Sequence, residues 1–94
     1  MPQAVRIQDI CSGHDCHPPR PVIEGSVNVF FEKRGVATNE HMWMVHQCDG
    51  DVHPGFGTSA NTVLVNGSPA MAVGDPINCG SVAMTGATTV FIGG

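Results

Sequence analysis

The segment Gly25-Ser26-Val27-Asn28-Val29-Phe30 returns as Ser59-Ala60-Asn61-Thr62-Val63-Leu64 and again as Gly86-Ala87-Thr88-Thr89-Val90-Phe91. Counted from Val29 to Val63 to Val90, the offsets are 34 and 27 residues. Units of this size cannot bury an apolar face alone, so about three of them must share one core. Carrying the first offset onward places His41 opposite Asp75 and His46 opposite Gly80, while a shift of 66 residues brings Asp9 onto Asp75 and His14 onto Gly80. His14 and His46 are therefore equivalent, and Cys79 lies one residue before the third equivalent position. Three units can each send one side chain toward a pseudo-threefold axis.

A chain of 94 residues buries only about 60–65% of the surface its unfolded form exposes. Domains of this size draw on disulfides, a metal or a partner chain. Twelve Gly and seven Pro suit short strands and tight turns better than helix interiors, which points to an all-β fold. The span 37–47 lacks both residues and has room for one helical turn at most. Strands are expected at Val5 to Ile10, Ser26 to Glu32, near Val36 after a Lys33-Arg34-Gly35 turn, and at Thr88 to Ile92. Asn66-Gly67 favours a type I′ turn and pairs Thr62–Val65 with Ser68–Val73. Three prolines make His17-Pro18-Pro19-Arg20-Pro21 an extended surface connection. Asp9 and Asp75 sit in related turns, where Asp bonds nearby backbone.

The formal charge of −4, with four Lys and Arg, argues against a nucleic-acid footprint and against affinity for anionic membranes. No run of about twenty apolar residues offers a membrane anchor, and Met1-Pro2-Gln3-Ala4-Val5-Arg6 lacks the apolar region of a signal peptide. Synthesis in the cytoplasm without a cleaved signal is expected, as is one domain over 1–94 with no fused effector domain. Four cysteines allow two disulfides in three connectivities, but cytosolic thiols stay reduced. Cys11, Cys16 and Cys48 are the candidates if a staple forms.

Zinc takes four N or S ligands in a tetrahedron, and His14, His46 and Cys79, with His53 as a fourth, saturate it. Such a closed site is structural. Three histidines without Cys79 would instead resemble a hydrolytic centre, so a small zinc hydrolase is one alternative and a disulfide-stapled interaction module another. His17 and His41 read as surface polar residues, Trp43 as packing, and Met42, Met44, Met71 and Met84 as gap fillers between units. Cys79 also fits a small buried hydrophobe. No nucleophile with its base, phosphate loop or carboxylate pair stands out, so no enzyme activity is expected.

Several stretches together resemble the PAAR-repeat proteins that cap the spikes of type VI secretion systems and contractile phage tails. They are Gln3-Ala4-Val5-Arg6-Ile7-Gln8-Asp9, Cys11-Ser12-Gly13-His14-Asp15-Cys16 with Pro18-Pro19-Arg20-Pro21, and Trp43-Met44-Val45-His46-Gln47-Cys48. His53-Pro54-Gly55 and the run from Val65 through Asn66-Gly67-Ser68-Pro69-Ala70-Met71-Ala72 to Asp75-Pro76 and Cys79-Gly80-Ser81 complete the likeness. The tetrad itself is degenerate, reading Gln3-Ala4-Val5-Arg6 and Pro69-Ala70-Met71-Ala72, and His41 replaces an expected Asp. The resemblance implies a cone of short β-hairpins with pseudo-threefold repeats, clamped at the tip by zinc on His14, His46, His53 and Cys79. It also implies a base that docks on a trimeric spike protein of the valine-glycine repeat type, delivery out of the cell on that spike, a role in puncturing membranes, and carriage of effector proteins.

Overall fold

Three backbone hydrogen bonds form a closed ring: Val5 donates to the Met71 carbonyl (2.9 Å), Met71 to Ala37 (3.0 Å) and Ala37 to Val5 (2.9 Å). Around it, the antiparallel bridges Ala4↔Ala72, Arg6↔Val36 and Thr38↔Ala70 join each repeat to the next. The ring residues are 32 and 34 apart, which is the spacing that relates His14, His46 and Gly80. A computed structural model of the protein describes residues 2–92, in a body of 36 × 24 × 22 Å elongated along one axis.

Among the described residues the fold is all-β, with no helix and three separate two-stranded antiparallel sheets. The first sheet is β1 (Phe30–Phe31) with β2 (Arg34–Gly35), the second β3 (Met42–Cys48) with β4 (Asp51–Phe56), and the third β5 (Leu64–Val65) with β6 (Ser68–Pro69). The Asn66-Gly67 turn forms as expected, with φ of 53° and 84°, and its ladder is shorter than the sequence suggests. Glu32 and Lys33 make the corresponding β1–β2 turn with φ of 53° and 70°, so Arg34 and Gly35 are strand residues. The span 37–47, with room for one helical turn, instead runs into the longest strand at Met42–Cys48. The expected strands at Val5 to Ile10 and Thr88 to Ile92 contribute single bridges, such as Gln3↔Phe91, because each repeat pairs in turn with both its neighbours around the axis.

One local device recurs in all three repeats. The backbone N–H of Arg6 donates to Asp9 Oδ2 at 2.8 Å, that of Thr38 to His41 Nδ1 at 2.9 Å, and that of Ala72 to Asp75 Oδ2 at 2.8 Å. The reverse backbone bonds, Asp9 to Arg6, His41 to Thr38 and Asp75 to Ala72, span 3.0–3.1 Å. His41 is therefore no surface residue without a task. Its ring nitrogen accepts the bond that a carboxylate accepts in the other two units. Asp9 has a second role, since Arg6 and Arg34 both reach it at 3.0–3.1 Å. Arg6 continues to Glu32 at 2.8 Å. Hydrogen bonds from the Thr89 hydroxyl and N–H, and then from Thr88, hold the Glu32 carboxyl down at about 2.

The core divides into two layers along the axis. Ala4, Val36, Val65, Ala70, Ala72 and Ile92 pack beside the short β1–β2 and β5–β6 hairpins, with Val29 and Val90 against them. Val5, Ala37 and Met71 open the second layer, which continues through Cys11, Val22, Trp43, Ile77 and Ala83 and touches Cys79. At the hairpin end, the repeat-equivalent residues Phe30, Leu64 and Phe91 stand 56%, 59% and 47% exposed.

Equivalence of the three turns leads to a stability prediction. His41→Ala leaves the buried Thr38 N–H without its acceptor and costs about 1–2 kcal/mol in urea unfolding. His41→Asp restores the carboxylate of the other two repeats and stays within about 0.5 kcal/mol of the parent.

Candidate metal centre

Beyond the second layer each repeat makes one excursion, and the excursions close head to tail through Val22↔Trp43, Gly57↔Ile77 and Cys11↔Ala83. They differ in length. The third, between Ile77 and Ala83, holds little more than a turn, while the second is long enough for the whole β3–β4 hairpin. That inequality decides how many side chains each unit can send to the axis.

Asp49-Gly50 turns the β3–β4 hairpin with φ of 49° and 84°, the positive pair a type I′ turn requires. A two-residue turn at this point sets Cys48 opposite Asp51, Gln47 opposite Val52 and His46 opposite His53. Between Trp43 and His46 the register shifts, so Met44 and Val45 face Pro54 alone. Residues three apart on a regular strand point to opposite faces; the extra residue of a bulge brings them to the same side. Trp43 and His46 are accordingly both buried. Pro54, which has no N–H to leave unpaired, suits the bulge. Gly55 follows because a Cβ there would strike the Arg20 guanidinium and the Ile77 side chain.

The first excursion builds a smaller version. His14 and His17 exchange backbone bonds of 3.1 and 2.7 Å across a turn with Asp15 at φ 49°. Each of the two hairpins therefore presents a facing pair of histidines. The assignment of His17 to the surface is corrected here: it is 7% exposed and its ring lies 4.4–4.6 Å, centroid to centroid, from those of His14, His46 and His53. Its Nε2 turns to Asp51, reaching the backbone carbonyl and the carboxylate at 3.2 Å each.

His14, His46, His53 and Cys79 converge as a group, with one ligand-capable atom from each within 4.8 Å of all the others. The Nε2 atoms are 3.2 Å apart for His14 and His46, 3.1 Å for His14 and His53, and 2.8 Å for His46 and His53. The opposite ring nitrogens explain what faces inward. His46 Nδ1 donates to the Pro18 carbonyl at 2.9 Å, and His53 Nδ1 lies 3.3 Å from Asp51 Oδ2. His14 Nδ1 faces Asp15 at 3.7 Å. With Nδ1 carrying the proton, Nε2 presents a lone pair, so His46 and His53 direct two lone pairs at each other across 2.8 Å. Such a set attracts a cation. A tetrahedral ion about 2.0–2.1 Å from each nitrogen sets them roughly 3.3 Å apart, close to the observed spacing, and outer acceptors on Nδ1 are the usual support of metal-bound imidazole.

Arg20, which the sequence marked only as part of a proline-rich connection, is 1% exposed and supports the sulfur side. Its guanidinium donates to Cys79 Sγ at 3.3 Å, to Cys11 Sγ at 3.0 Å and to the Met44 carbonyl at 2.6 Å, and lies 5.7 Å from the centre of the Trp43 ring. A buried cation needs anionic or strongly accepting partners, and sulfurs fill that place here. Burial opposes ionisation of both thiols. It is outweighed at Cys79 by the Ser81 N–H and the Arg20 guanidinium, and at Cys11 by the Arg20 and Gly13 N–H groups, so both pKa values fall. The thiolate is the form that binds metal.

A disulfide joins Cys16 to Cys48, with Cα atoms 5.4 Å apart, while Cys11 and Cys79 are free. The sequence left the redox state of these thiols open, and the structure pairs two of its three candidates, Cys16 and Cys48. The cause of this pairing is the repeat: 32 residues separate the two cysteines, as they separate His14 from His46. The apposition of equivalent turns therefore brings equivalent cysteines together. Closing a loop of that length restricts the unfolded chain by about 3–4 kcal/mol.

Fold and site define a small all-β protein whose three repeats surround one axis and bring three imidazole nitrogens and a sulfur together at one end. The PAAR motif family model matches residues 12–85. The chain belongs to that family, a family of structural spike-tip proteins. No curated protein sequence matches it.

Burial, aided by the Arg20, His53 and His17 charges, holds the His46 pKa below its ordinary value despite the Pro18 bond. Between that lowered pKa and about 6.5 the unfolded chain binds more protons than the folded one, so stability is lost as pH falls through this window. The urea midpoint of metal-free protein should drop between pH 7.5 and 5.5. In His46→Asn, which can keep the donor to Pro18, the drop should shrink; an undiminished drop assigns the effect elsewhere.

Proposed function

We propose that His14, His46, His53 and Cys79 hold one zinc ion and that the clamped end is the point of a spike cap. The observation that carries this reading is the approach of the His46 and His53 Nε2 atoms to 2.8 Å, with His14 Nε2 and the Cys79 thiol alongside. Three nitrogens and one sulfur favour zinc over harder cations. Bound zinc supplies a cross-link among the three excursions. On this reading Cys79 supplies the fourth ligand, where a hydrolytic centre would keep a position for water.

Mechanically, the residues divide the work by position. A tapering end has too little volume for an apolar core, so His14, His46, His53 and Cys79 join the excursions where packing cannot. Asp51 and the Pro18 carbonyl keep the imidazoles turned inward, and Arg20 balances the charge on sulfur. At the opposite end Phe30, Leu64 and Phe91 meet the threefold face of a trimeric spike, one cap per three spike chains. On this reading the protein is made in the cytoplasm, leaves with the spike, and sharpens it for puncturing a target membrane, with effector proteins as cargo.

Metal analysis should find one zinc per chain. At a free zinc excess of about 1,000 Kd the ion adds about 4 kcal/mol, and a chelator should lower the melting temperature by roughly 15–30 °C. His14→Ala, His46→Ala, His53→Ala and Cys79→Ala should each abolish that zinc-dependent increment, while His17→Ala keeps it. Equal loss in all five variants would remove the ligand assignment.

Replacing the apolar end tests the other half. Phe30→Asp or Leu64→Asp should prevent co-elution with a trimeric spike and leave zinc content at one per chain. A complex that survives both changes places the docking face elsewhere.

A further inference from the structure

The sequence His-x-Cys occurs twice, as His14-Asp15-Cys16 and His46-Gln47-Cys48, and the second follows the first by the 32 residues that separate repeats one and two. The third repeat has neither residue: Gly80 stands at the histidine position and Val82 at the cysteine position. Two of the three excursions thus carry an imidazole of the centre and, two residues on, one half of the Cys16–Cys48 disulfide. Cys16 is exposed and Cys48 half-buried, so neither residue is enclosed, unlike Cys11 at 0% exposure.

We infer that Cys16 and Cys48 form an exchangeable cross-link that sets how firmly the tip holds its metal, tight when the disulfide is closed and looser when it is open. The inference rests on the four-residue centre binding zinc. Coupling follows from chain connectivity. Closed, the disulfide holds the turns bearing His14 and His46 beside each other in every state of the tip, so less freedom is lost when the ligands gather. Open, the two excursions must be brought together by the ligands themselves.

Linkage makes the effect reciprocal. If closing the disulfide raises zinc affinity by some factor, zinc must raise the equilibrium constant for closing it by the same factor. Cytosolic thiol pools keep such pairs open, whereas oxidising surroundings close them. A chain that leaves the cytoplasm would therefore tighten its tip on the way out.

The chemistry is thiol–disulfide exchange with a low-molecular-weight disulfide such as oxidised glutathione. One cysteine thiolate attacks a sulfur of the reagent, forming a mixed disulfide and expelling one thiolate. The second cysteine thiolate attacks the protein-side sulfur of that mixed disulfide, closing the Cys16–Cys48 bond and expelling the other thiolate. Two electrons pass to the reagent, and the two protons lost by the cysteines end on its two released thiols.

The test uses the full chain loaded with zinc. Thiol counting in denaturant verifies two free thiols in the closed form and four in the open form. Zinc release to an excess of a chromogenic chelator is then compared between the closed protein and the Cys16→Ser/Cys48→Ser variant, which needs no reductant. Release should be faster in the variant, and its zinc dissociation constant, read by competition with the same chelator, roughly 5–150-fold higher, the usual span of coupling between linked sites. In a glutathione redox buffer, saturating zinc should displace the oxidation midpoint of the wild-type pair toward more reducing ratios, by the factor that separates the two zinc affinities. One zinc per chain with equal affinity and release in both proteins, or a midpoint that zinc does not move, overturns the coupling alone. A chain that binds no zinc overturns the metal reading together with the coupling built on it.

Discussion

A closed ring of three backbone hydrogen bonds, Val5 to Met71 to Ala37 and back to Val5, is the constraint on which the molecule depends. Each bond joins different repeats, so none can form from local sequence alone. Once the ring exists, everything above and below it is placed in threefold register. The paired turns at Asp9, His41 and Asp75 follow from it, as do the two core layers and the convergence of the excursions.

What the threefold register does not require is equality of its members, and the site is built from the inequality. The second excursion, long enough for a full hairpin, contributes His46 and His53. The first contributes His14, and the third, little more than a turn, contributes Cys79. A symmetric trimer would offer three or six equivalent ligands, whereas unequal repeats in one chain can offer three nitrogens and one sulfur. The same inequality gives the sulfur its own support in Arg20, which takes up a buried position that Gly55 leaves open. Apolar side chains are exposed along the whole axis: Phe30, Leu64 and Phe91, equivalent in the three repeats, at the hairpin end, and Met44, Val45, Val52 and Val82 on the excursions.

Particular residues show how far the sequence could be read. The equivalence of His14 and His46 was visible because spacing survives where residue identity drifts. The Asn66-Gly67 turn was visible because it needs positive φ in two residues. Asp49-Gly50 carries the same turn chemistry, and reading it would have set His53 opposite His46 without any family likeness. His17 was misplaced because its proline-rich surroundings suggest an exposed strap, while its burial comes from the turn at Asp15 that folds it onto His14. His41 looked like a lost Asp, and only its bond to the Thr38 N–H shows that the function of the turn is kept.

The amino-acid order by itself determined the all-β class, the threefold repeat and the identity of three of the four converging residues, because these depend on composition and on spacing along the chain. Tertiary structure alone decided the approach of the His46 and His53 Nε2 atoms, the burial of Arg20 between two sulfurs, the retreat of His17 to Asp51 and the meeting of Cys16 with Cys48. Each of these depends on which excursion lies beside which around the axis. That order is established by hydrogen bonds between repeats, and no single repeat encodes it.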